Sequence, residues 1–410
     1  MSPSRARARS VPRGFRVVAI ALASALALSA CSSDSGGDGS EGTVRWSGAA
    51  PPTQEMSATD AASIDEAAEA SLAAAPDLPG MWIGVWDPAK GVHIGAYGDD
   101  VDGQTPATPE DHSRIGSVTK TFTATAVLQQ VEAGELNLDD TIEDVLPDLA
   151  EEYPDLAAIT VEQLLAMRSG IPDYANTGAV TGPVVEDPTK VWTVDEIIAT
   201  TLEAEPLQPP GTPGYSTTNY LILGQMLEAV TGEPVEDVIN AVAKEAGLSD
   251  SALQAPEEMR MPDQSSHGYL NAPGVASLAE AGVTAEPGQD VTDWTVSWGQ
   301  AGGDMYSTVA DMGTWAATGL GTALLPTDLG EQRLQTQPTP EGDYGLGIFD
   351  WGGGWIGHTG QLIGWESLVA YNTETGAVFV AMDNETGSLS AAIPVAQVVF
   401  PDLVEGLISG

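Results

Sequence analysis

Residues 112–134 read HSRIGSVTKTFTATAVLQQVEAG, and this stretch decides the interpretation of the whole chain. Its apolar residues recur at helical spacing, and Gly134 is a typical helix stop. If the helix begins at Ser117, Lys120 lies one turn further along and faces the same way. The Ser117 hydroxyl then lies at the positive end of the helix, where backbone N–H groups are unpaired.

The spacing of Ser117 and Lys120 suits nucleophilic catalysis. A nearby ammonium lowers the cost of forming an alkoxide, and a partly desolvated lysine can itself accept the serine proton. A serine that caps a helix and is followed by a solvated lysine gives the same tetrapeptide. Lysine is scarce here, however, and none of Lys90, Lys190 and Lys244 follows a serine at this distance. We therefore interpret Ser117 as the nucleophile and Lys120 as its activating partner.

A second candidate group lies in PGTPGYSTTNYLILGQMLEAVTG, residues 210–232. A Gly/Pro loop leads into Tyr215, and a helix is predicted to begin near Asn219. We expect the phenol to point into a cleft, where a neighbouring lysine cation would lower its pKa and make it a candidate base. A packed loop aromatic next to helix caps is the structural alternative.

A third motif, Gly357-His358-Thr359-Gly360, lies on a predicted strand. Its glycines allow a substrate backbone to come close to the strand edge. Thr359 offers a hydroxyl, and strand N–H groups can stabilise an oxyanion. The structural alternative is a strand with a half-buried histidine at a bulge.

In this order the three motifs resemble those of the serine β-lactamase and D-alanyl-D-alanine carboxypeptidase superfamily. The nearest branch holds class C β-lactamases, S12-type carboxypeptidases and related esterases, with Ser-x-x-Lys, Tyr-x-Asn and Lys- or His-Thr-Gly motifs. The similarity covers roughly residues 60–410. Further similar segments are RIGSVTKTFTA, LLAMRSGIPDY, PGTPGYSTTNYLILG, AGGDMYSTVADM and GHTGQLIGW.

The resemblance implies a fold and a set of roles. The fold class is α+β (mixed α/β): an antiparallel sheet of N- and C-terminal strands flanked by helices, plus a largely helical insertion. Ser117 forms an acyl-enzyme, and Lys120 and Tyr215 shuttle its proton; which of the two is the base stays open. The residues implied in substrate binding are His358 (where many relatives have Lys), Thr359 for a substrate carboxylate, Gly360, Gln361 and Thr217. Backbone N–H groups of Ser117 and Gln361 form the implied oxyanion hole.

One position departs from the family pattern. The second motif has Asn two residues after its Tyr, but this chain has Thr217, with one hydroxyl on a shorter arm. Asn219 lies half a helical turn further on and is not assumed to substitute. The choice of substrate and the deacylation rate therefore stay open. No metal or cofactor is expected, because the four histidines are scattered without an HExxH motif.

The N-terminus predicts export. Five arginines in the first sixteen residues precede the apolar run 17–30, which fits a signal peptide and is too short to span a bilayer. The run ends in Leu-Ser-Ala-Cys, which resembles a lipobox with Cys31, the chain's one cysteine, as the lipidated residue. We divide the chain into a signal peptide (1–30), a flexible tether (31–56) and a hydrolase domain (57–410). The sheet part of that domain is predicted at about 57–116 and 335–410, and its helical part at about 117–334.

The composition limits the partners. Fifty-nine acidic residues against 14 basic ones give a net charge of −45, which repels phosphates and makes nucleic acid an improbable ligand. We expect a lipoprotein on the outer side of the cell membrane that acts on D-Ala-D-Ala-like peptides, with β-lactams or esters as alternative substrates. A non-catalytic penicillin- or peptide-binding module is the alternative from another class, and Thr217 alone favours it. A substrate carboxylate would rely on Lys120, Thr359, helix dipoles or one of four arginines: Arg114, Arg168, Arg260 and Arg333.

Overall fold

A computed structural model describes residues 51–386 except 76, 178–179, 273, 277–283 and 322. The predicted signal peptide, Cys31, most of the tether and a helix predicted over residues 389–407 lie outside the described residues.

A nine-stranded sheet, antiparallel at every pairing, forms the centre of the described region. Within the described part of the chain, the first long strand pairs with the last, with Trp82 opposite Met382. This pairing confirms the α+β class and the sheet built from both ends of the chain. From one edge to the other, the strands are β3 (Thr105–Pro106), β2 (Gly91–Val101), β1 (Gly80–Asp87), β13 (Val378–Asp383), β12 (Trp365–Asn372), β11 (Trp355–Leu362), β10 (Phe349–Gly352), β9 (Gly342–Tyr344) and β8 (Gln337–Thr339).

Two smaller sheets are formed by short strands from the segments that connect the larger elements. In the three-stranded sheet, β7 lies between β4 and β5, and the other sheet is the parallel pair β6 and β14. Their bounds are β4 (Ser113–Arg114), β5 (Ala252–Leu253), β6 (Tyr269–Leu270), β7 (Met305–Ser307) and β14 (Glu385–Thr386).

Helices cover the large sheet and form most of the chain between its two halves. A short 3₁₀ helix, Gly116–Val118, precedes the second of them. The α-helices are α1 (Ala58–Ala74), α2 (Thr119–Ala133), α3 (Ile142–Val145), α4 (Pro147–Glu152), α5 (Val161–Leu165), α6 (Tyr174–Thr177), α7 (Thr181–Glu186), α8 (Val194–Ala204), α9 (Thr218–Thr231), α10 (Val235–Glu245), α11 (Gln300–Gly303), α12 (Val309–Thr318) and α13 (Thr327–Arg333). Among the described residues, no helix combines the length and apolarity needed to cross a membrane.

Strand β1 is buried along its whole length because the sheet is covered on both faces. Ile83 and Val85 pack with Ile64 of α1 on one face, and Trp82 and Trp86 belong to the larger core on the other. This alternation explains why MWIGVW is apolar at nearly every position.

Helix α2 runs through the larger core, and its residues 119–128 are all buried. The Phe122 and Trp315 rings stack with their centroids 3.6 Å apart. The threonines of the helix are satisfied internally: Trp315 Nε1 donates to Thr121 Oγ1 at 2.8 Å, and Thr123 Oγ1 donates to the Ala301 carbonyl at 2.6 Å. A helical segment that is enclosed on all sides needs no charged face. The packing around residues 119–128 therefore fixes the N-terminal part of α2 in place.

Candidate active site

The 3₁₀ helix that carries Ser117 is pressed against strand β11. Gly116 has φ of 50°, and a Cβ there would overlap the backbone nitrogen of Gln361. A Cβ at Gly360 would overlap the Ile115 carbonyl. Gly360 therefore accommodates the Ile115 carbonyl rather than leaving room for a substrate at this point. The close approach sets the backbone of Ser117 beside that of Gln361, the two segments expected to supply the oxyanion hole.

Ser117 and Lys120 meet as the helical spacing predicts. Lys120 Nζ donates to Ser117 Oγ at 2.8 Å and to the Gly302 carbonyl at 2.7 Å. The lysine is completely buried. Burial lowers the pKa of Lys120 to about 7, and the nearby Asp173 carboxylate opposes this shift. Near neutral pH a substantial fraction of Lys120 is therefore a free amine, which can accept the serine proton.

Tyr215 completes the group around Ser117. Its side chain hydrogen-bonds that of Ser117, and Lys120 Nζ lies 5.0 Å from its ring centroid. The expectation of a lowered pKa is wrong: burial raises the pKa of Tyr215 well above its usual range, and the hydrogen bond to Ser117 only partly offsets this. Tyr215 is thus a neutral phenol, suited to donating a proton. Of the two groups, Lys120 is therefore the better candidate for the base.

Thr217 lies next to Asp173, a carboxylate that sequence reasoning missed. The Thr217 backbone N–H donates to Asp173 Oδ1 at 3.1 Å, and the side chains also hydrogen-bond. Burial raises the pKa of Asp173, and Lys120 lowers it. The only signal was an acid inside the otherwise uncharged run Ser-Gly-Ile-Pro-Asp-Tyr. The site therefore holds a carboxylate beside the position where the family has an amide.

Asn219 does not replace the missing asparagine. Ser169 Oγ donates to Asn219 Oδ1 at 2.6 Å, and Asn219 Nδ2 donates to the Leu164 carbonyl at 3.1 Å. Both polar ends of its buried side chain are engaged inside the helical part of the molecule. The substitution at Thr217 is therefore a real difference in the site.

His358 is a neutral, buried side chain with 1% exposure. Its Nδ1 bonds the Thr359 carbonyl, which can only accept, so Nδ1 carries the proton. Its Nε2 therefore accepts from the Tyr344 hydroxyl, 3.0 Å away. Burial lowers the pKa of His358 to about 3, and the charge of Lys120 acts in the same direction. His358 does not supply the positive charge that a lysine gives at this position.

Each of the four candidate arginines has protein partners. Arg114 is buried against the Asp304 carboxylate at 2.8 Å. Arg333 is buried as well, and donates to the Gly319 carbonyl at 2.7 Å and to Thr125 Oγ1 at 3.1 Å. On the surface, Arg260 pairs with Asp293 at 3.1 Å, and Arg168 contacts the Pro338 carbonyl at 3.4 Å. None of them replaces the missing lysine next to Ser117 and His358.

A serine at a helix N-terminus, a buried lysine of lowered pKa and a phenol within hydrogen-bonding reach define a serine hydrolase of the penicillin-recognising class. The sequence matches the Beta-lactamase family over residues 66–400. The chain belongs to that family, which confirms the resemblance drawn from its motifs.

Similar proteins with known structures include two amide hydrolases. A D-stereospecific amidohydrolase from Streptomyces sp. is 30% identical, with a TM-score of 0.67 over 79% of this chain and 94% of that one. A D-amino acid amidase from Ochrobactrum anthropi SV3 is 25% identical, with a TM-score of 0.71 over 82% of this chain and 98% of that one.

Penicillin-binding protein 4 from Amycolatopsis lactamdurans is 30% identical over 187 residues, 44% of this chain and 43% of that protein. The matched region is thus less than half the length of that relative.

Proposed function

We propose that this chain hydrolyses small amides or esters, of the D-amino acid amide type, that carry no carboxylate next to the scissile bond. The observation that carries the proposal is the neutral His358, tied to Tyr344 and to the Thr359 carbonyl. The similarity to a D-stereospecific amidohydrolase and a D-amino acid amidase supports the same substrate class.

The reaction uses three side chains and two amides. Lys120 takes the proton of Ser117, and Oγ attacks the carbonyl carbon. The N–H groups of Ser117 and Gln361 stabilise the oxyanion. Tyr215 protonates the departing amine or alcohol, and Lys120 returns its proton to the phenolate through a water, because Ser117 Oγ is acylated at this stage. Water then attacks the ester of Ser117 with the same base, which releases the acid and restores the hydroxyl.

The charge around Ser117 disfavours an anionic substrate. Asp173 lies within electrostatic range of both Lys120 and Tyr215. When Lys120 is a free amine ready to act as base, neither it nor the neutral His358 offers a positive charge to a substrate carboxylate. Such a carboxylate would lose hydration in a partly dry cleft without gaining an ion pair.

A D-alanyl-D-alanine carboxypeptidase or a β-lactamase is the second candidate. The similarity to a protein named penicillin-binding protein 4 favours it, and Thr359 can still donate to a carboxylate. Two peptides separate the candidates: one ends in D-Ala-D-Ala, and its twin carries a C-terminal amide in place of the carboxylate. We expect kcat/KM to be higher for the twin. A clear preference for the free carboxylate would establish the carboxypeptidase instead.

Acyl-enzyme formation is tested by covalent labelling. An activated ester without a carboxylate should label the protein readily, whereas a fluorescent penicillin, whose carboxylate lies next to the scissile amide, should label it more slowly. Ser117→Ala should abolish both labels. Ser63→Ala, on the exposed face of α1, is the control and should label like the wild type. If neither reagent gives an adduct, the proposal that the chain is an enzyme is wrong, and the alternative of a non-catalytic binding module is favoured.

Export and lipidation at Cys31 are part of the same proposal, and the Leu-Ser-Ala-Cys string supports them. In a bacterial host, the wild type should incorporate radiolabelled palmitate and sediment with membranes. Cys31→Ser should lose both properties. Equal labelling of the two proteins would contradict the lipobox.

A further inference from the structure

Trp351 is the one large hydrophobic side chain of the described residues that is exposed, at 39%. It lies on β10, two residues after Phe349, where the pairing with β11 is irregular between Asp350 and Gly352, and its ring lies beside that of Phe349. Three glycines at positive φ, Gly352, Gly353 and Gly354, form the turn that follows. A single exposed apolar side chain is ordinary in proteins, so what distinguishes Trp351 is the set of rings and the strand that surround it.

The indole continues a row of rings that starts at the nucleophile. The Tyr215 and Phe349 rings are 6° from parallel, with centroids 6.3 Å apart. Phe349 and Trp351 are 12° from parallel, with centroids 6.2 Å apart. We call Tyr215, Phe349 and Trp351 the aromatic row. It leads from the partly exposed Tyr215, across the buried Phe349, to the solvent-exposed Trp351.

The strand next to the row is shaped to hold the indole. A Cβ at Gly357 would overlap the Val369 carbonyl oxygen and would also lie 2.9 Å from Trp351 Cζ3, so the indole lies against β11 at a position that has no side chain. Strand β10 pairs with β11 at this point, with Phe349 opposite Gly357. The position of Trp351 is therefore fixed by packing and not only by the turn.

Tyr215, the member of the aromatic row nearest to Ser117, indicates which part of a substrate the row contacts. Tyr215 hydrogen-bonds Ser117 and is the proton donor of the proposed reaction, and a leaving group departs on the side of its proton donor. A leaving group that extends beyond its first atoms therefore meets Phe349 and then Trp351.

We propose that the aromatic row is the leaving-group subsite, and that it selects aromatic or extended apolar leaving groups through Trp351. This inference rests on the proposed amide or ester hydrolysis.

Two amides of one D-amino acid test the subsite: the primary amide and the 2-naphthylamide. Both form the same acyl-enzyme, so deacylation is identical and only leaving-group binding differs. Trp351→Ala should lower kcat/KM for the naphthylamide by about 3- to 10-fold, the range expected for one aromatic pair. The primary amide should be unaffected, and Trp351→Phe should restore most of the loss.

Asp350→Asn is the matched control, because residue 350 faces the other side of the same strand and Asn keeps the acceptor for the Gly352 N–H. It should leave both substrates unchanged. An equal loss on both amides in Trp351→Ala, or no loss on either, would overturn the subsite while leaving the hydrolase intact. If the wild type cleaves neither amide nor the matching esters, the proposed function fails, and the subsite fails with it.

Discussion

At the scale of single residues, one physical cause gives Lys120 and Tyr215 opposite tasks. Removal from water disfavours the charged form of any side chain. For a lysine this favours the free amine and lowers its pKa, whereas for a tyrosine it favours the phenol and raises its pKa. The two groups contact the same serine hydroxyl. Burial, the largest cause of both pKa shifts, therefore suits Lys120 to be the base of the proposed reaction and Tyr215 to be its acid.

The lowered pKa of Lys120 predicts the pH dependence of the reaction. Activity needs the free amine, so kcat/KM should rise with pH through an apparent pKa of about 7. Asp173 favours the ammonium form, and its charge therefore raises this pKa. Asp173→Asn should move the rise in kcat/KM to lower pH, so that relative activity at pH 6 increases.

The measurement is a pH profile of kcat/KM with a neutral ester, which does not titrate itself. Asp155→Asn, which removes an exposed carboxylate outside the site, should leave the profile in place. If Asp173 matters only for folding, its removal would scale the profile down without moving it. A profile that keeps its midpoint in Asp173→Asn would thus contradict the electrostatic role.

At the scale of elements, the sequence indicates those helix and strand boundaries that depend on residues close together along the chain. Helix α8, for example, begins after Thr193, whose side chain forms a capping box with Glu196 that can be recognised in the sequence. The segment at Ser117 differs: a continuous helix was expected, but Ser117 lies on a 3₁₀ turn and α2 begins at Thr119. The contact between Gly116 and β11 causes that difference, and it joins residues about 245 positions apart.

The same reason explains which site residues were found. Ser117, Lys120 and Tyr215 lie in sequence motifs, and their residue types indicate that they can act as a nucleophile or as a proton donor or acceptor. Asp173 and Trp351 lie in ordinary segments, and they become relevant only when the fold brings them beside Lys120 and Phe349. Burial, which decides the charge of His358, is likewise set by distant strands and helices. No pattern along the chain predicts it.

Gly116, three residues before α2, and Gly134, directly after it, allow the effect of backbone strain to be distinguished from the effect of site geometry. Gly116 and Gly134 both have positive φ, at 50° and 76°. A Cβ at Gly116 would overlap Gln361, whereas a Cβ at Gly134 would have no atom within 4 Å. Gly116→Ala should therefore push the turn away from β11 and lower kcat/KM by about 100-fold or more, as small misplacements of catalytic groups do.

Gly134→Ala should cost only the strain of a left-handed residue, about 1 kcal/mol, and keep its activity. Thermal unfolding and steady-state kinetics on both variants give the comparison. If Gly116→Ala and Gly134→Ala lose stability and activity to the same extent, backbone strain would explain both losses. The contact between Gly116 and Gln361 would then have no specific role in the site.

At the scale of the whole molecule, the site exists only after the N-terminal and C-terminal strands of the large sheet pair, β1 with β13. Residues 80–87 lie beside residues 378–383, and the chain between them supplies Ser117, Tyr215 and His358. The sheet thus holds β11 in place against the helix that carries the nucleophile. Folding and assembly of the active site are one event, which suits a rigid cleft.

The net charge of −45 acts on the same compact state. Repulsion among surface carboxylates opposes folding, and salt screens it, with a Debye length of about 10 Å at 0.1 M and about 3 Å at 1 M. At pH 8, raising NaCl from about 0.05 M to about 1 M should therefore increase Tm by roughly 3 °C or more, for a gain of about 1 kcal/mol. Close to the sequence pI of about 4.1, the net charge vanishes and the same salt step should have little effect. Scanning calorimetry at both pH values measures the difference. A Tm that is insensitive to salt at pH 8, or that rises equally at both pH values, would show that self-repulsion does not limit the stability of this acidic protein.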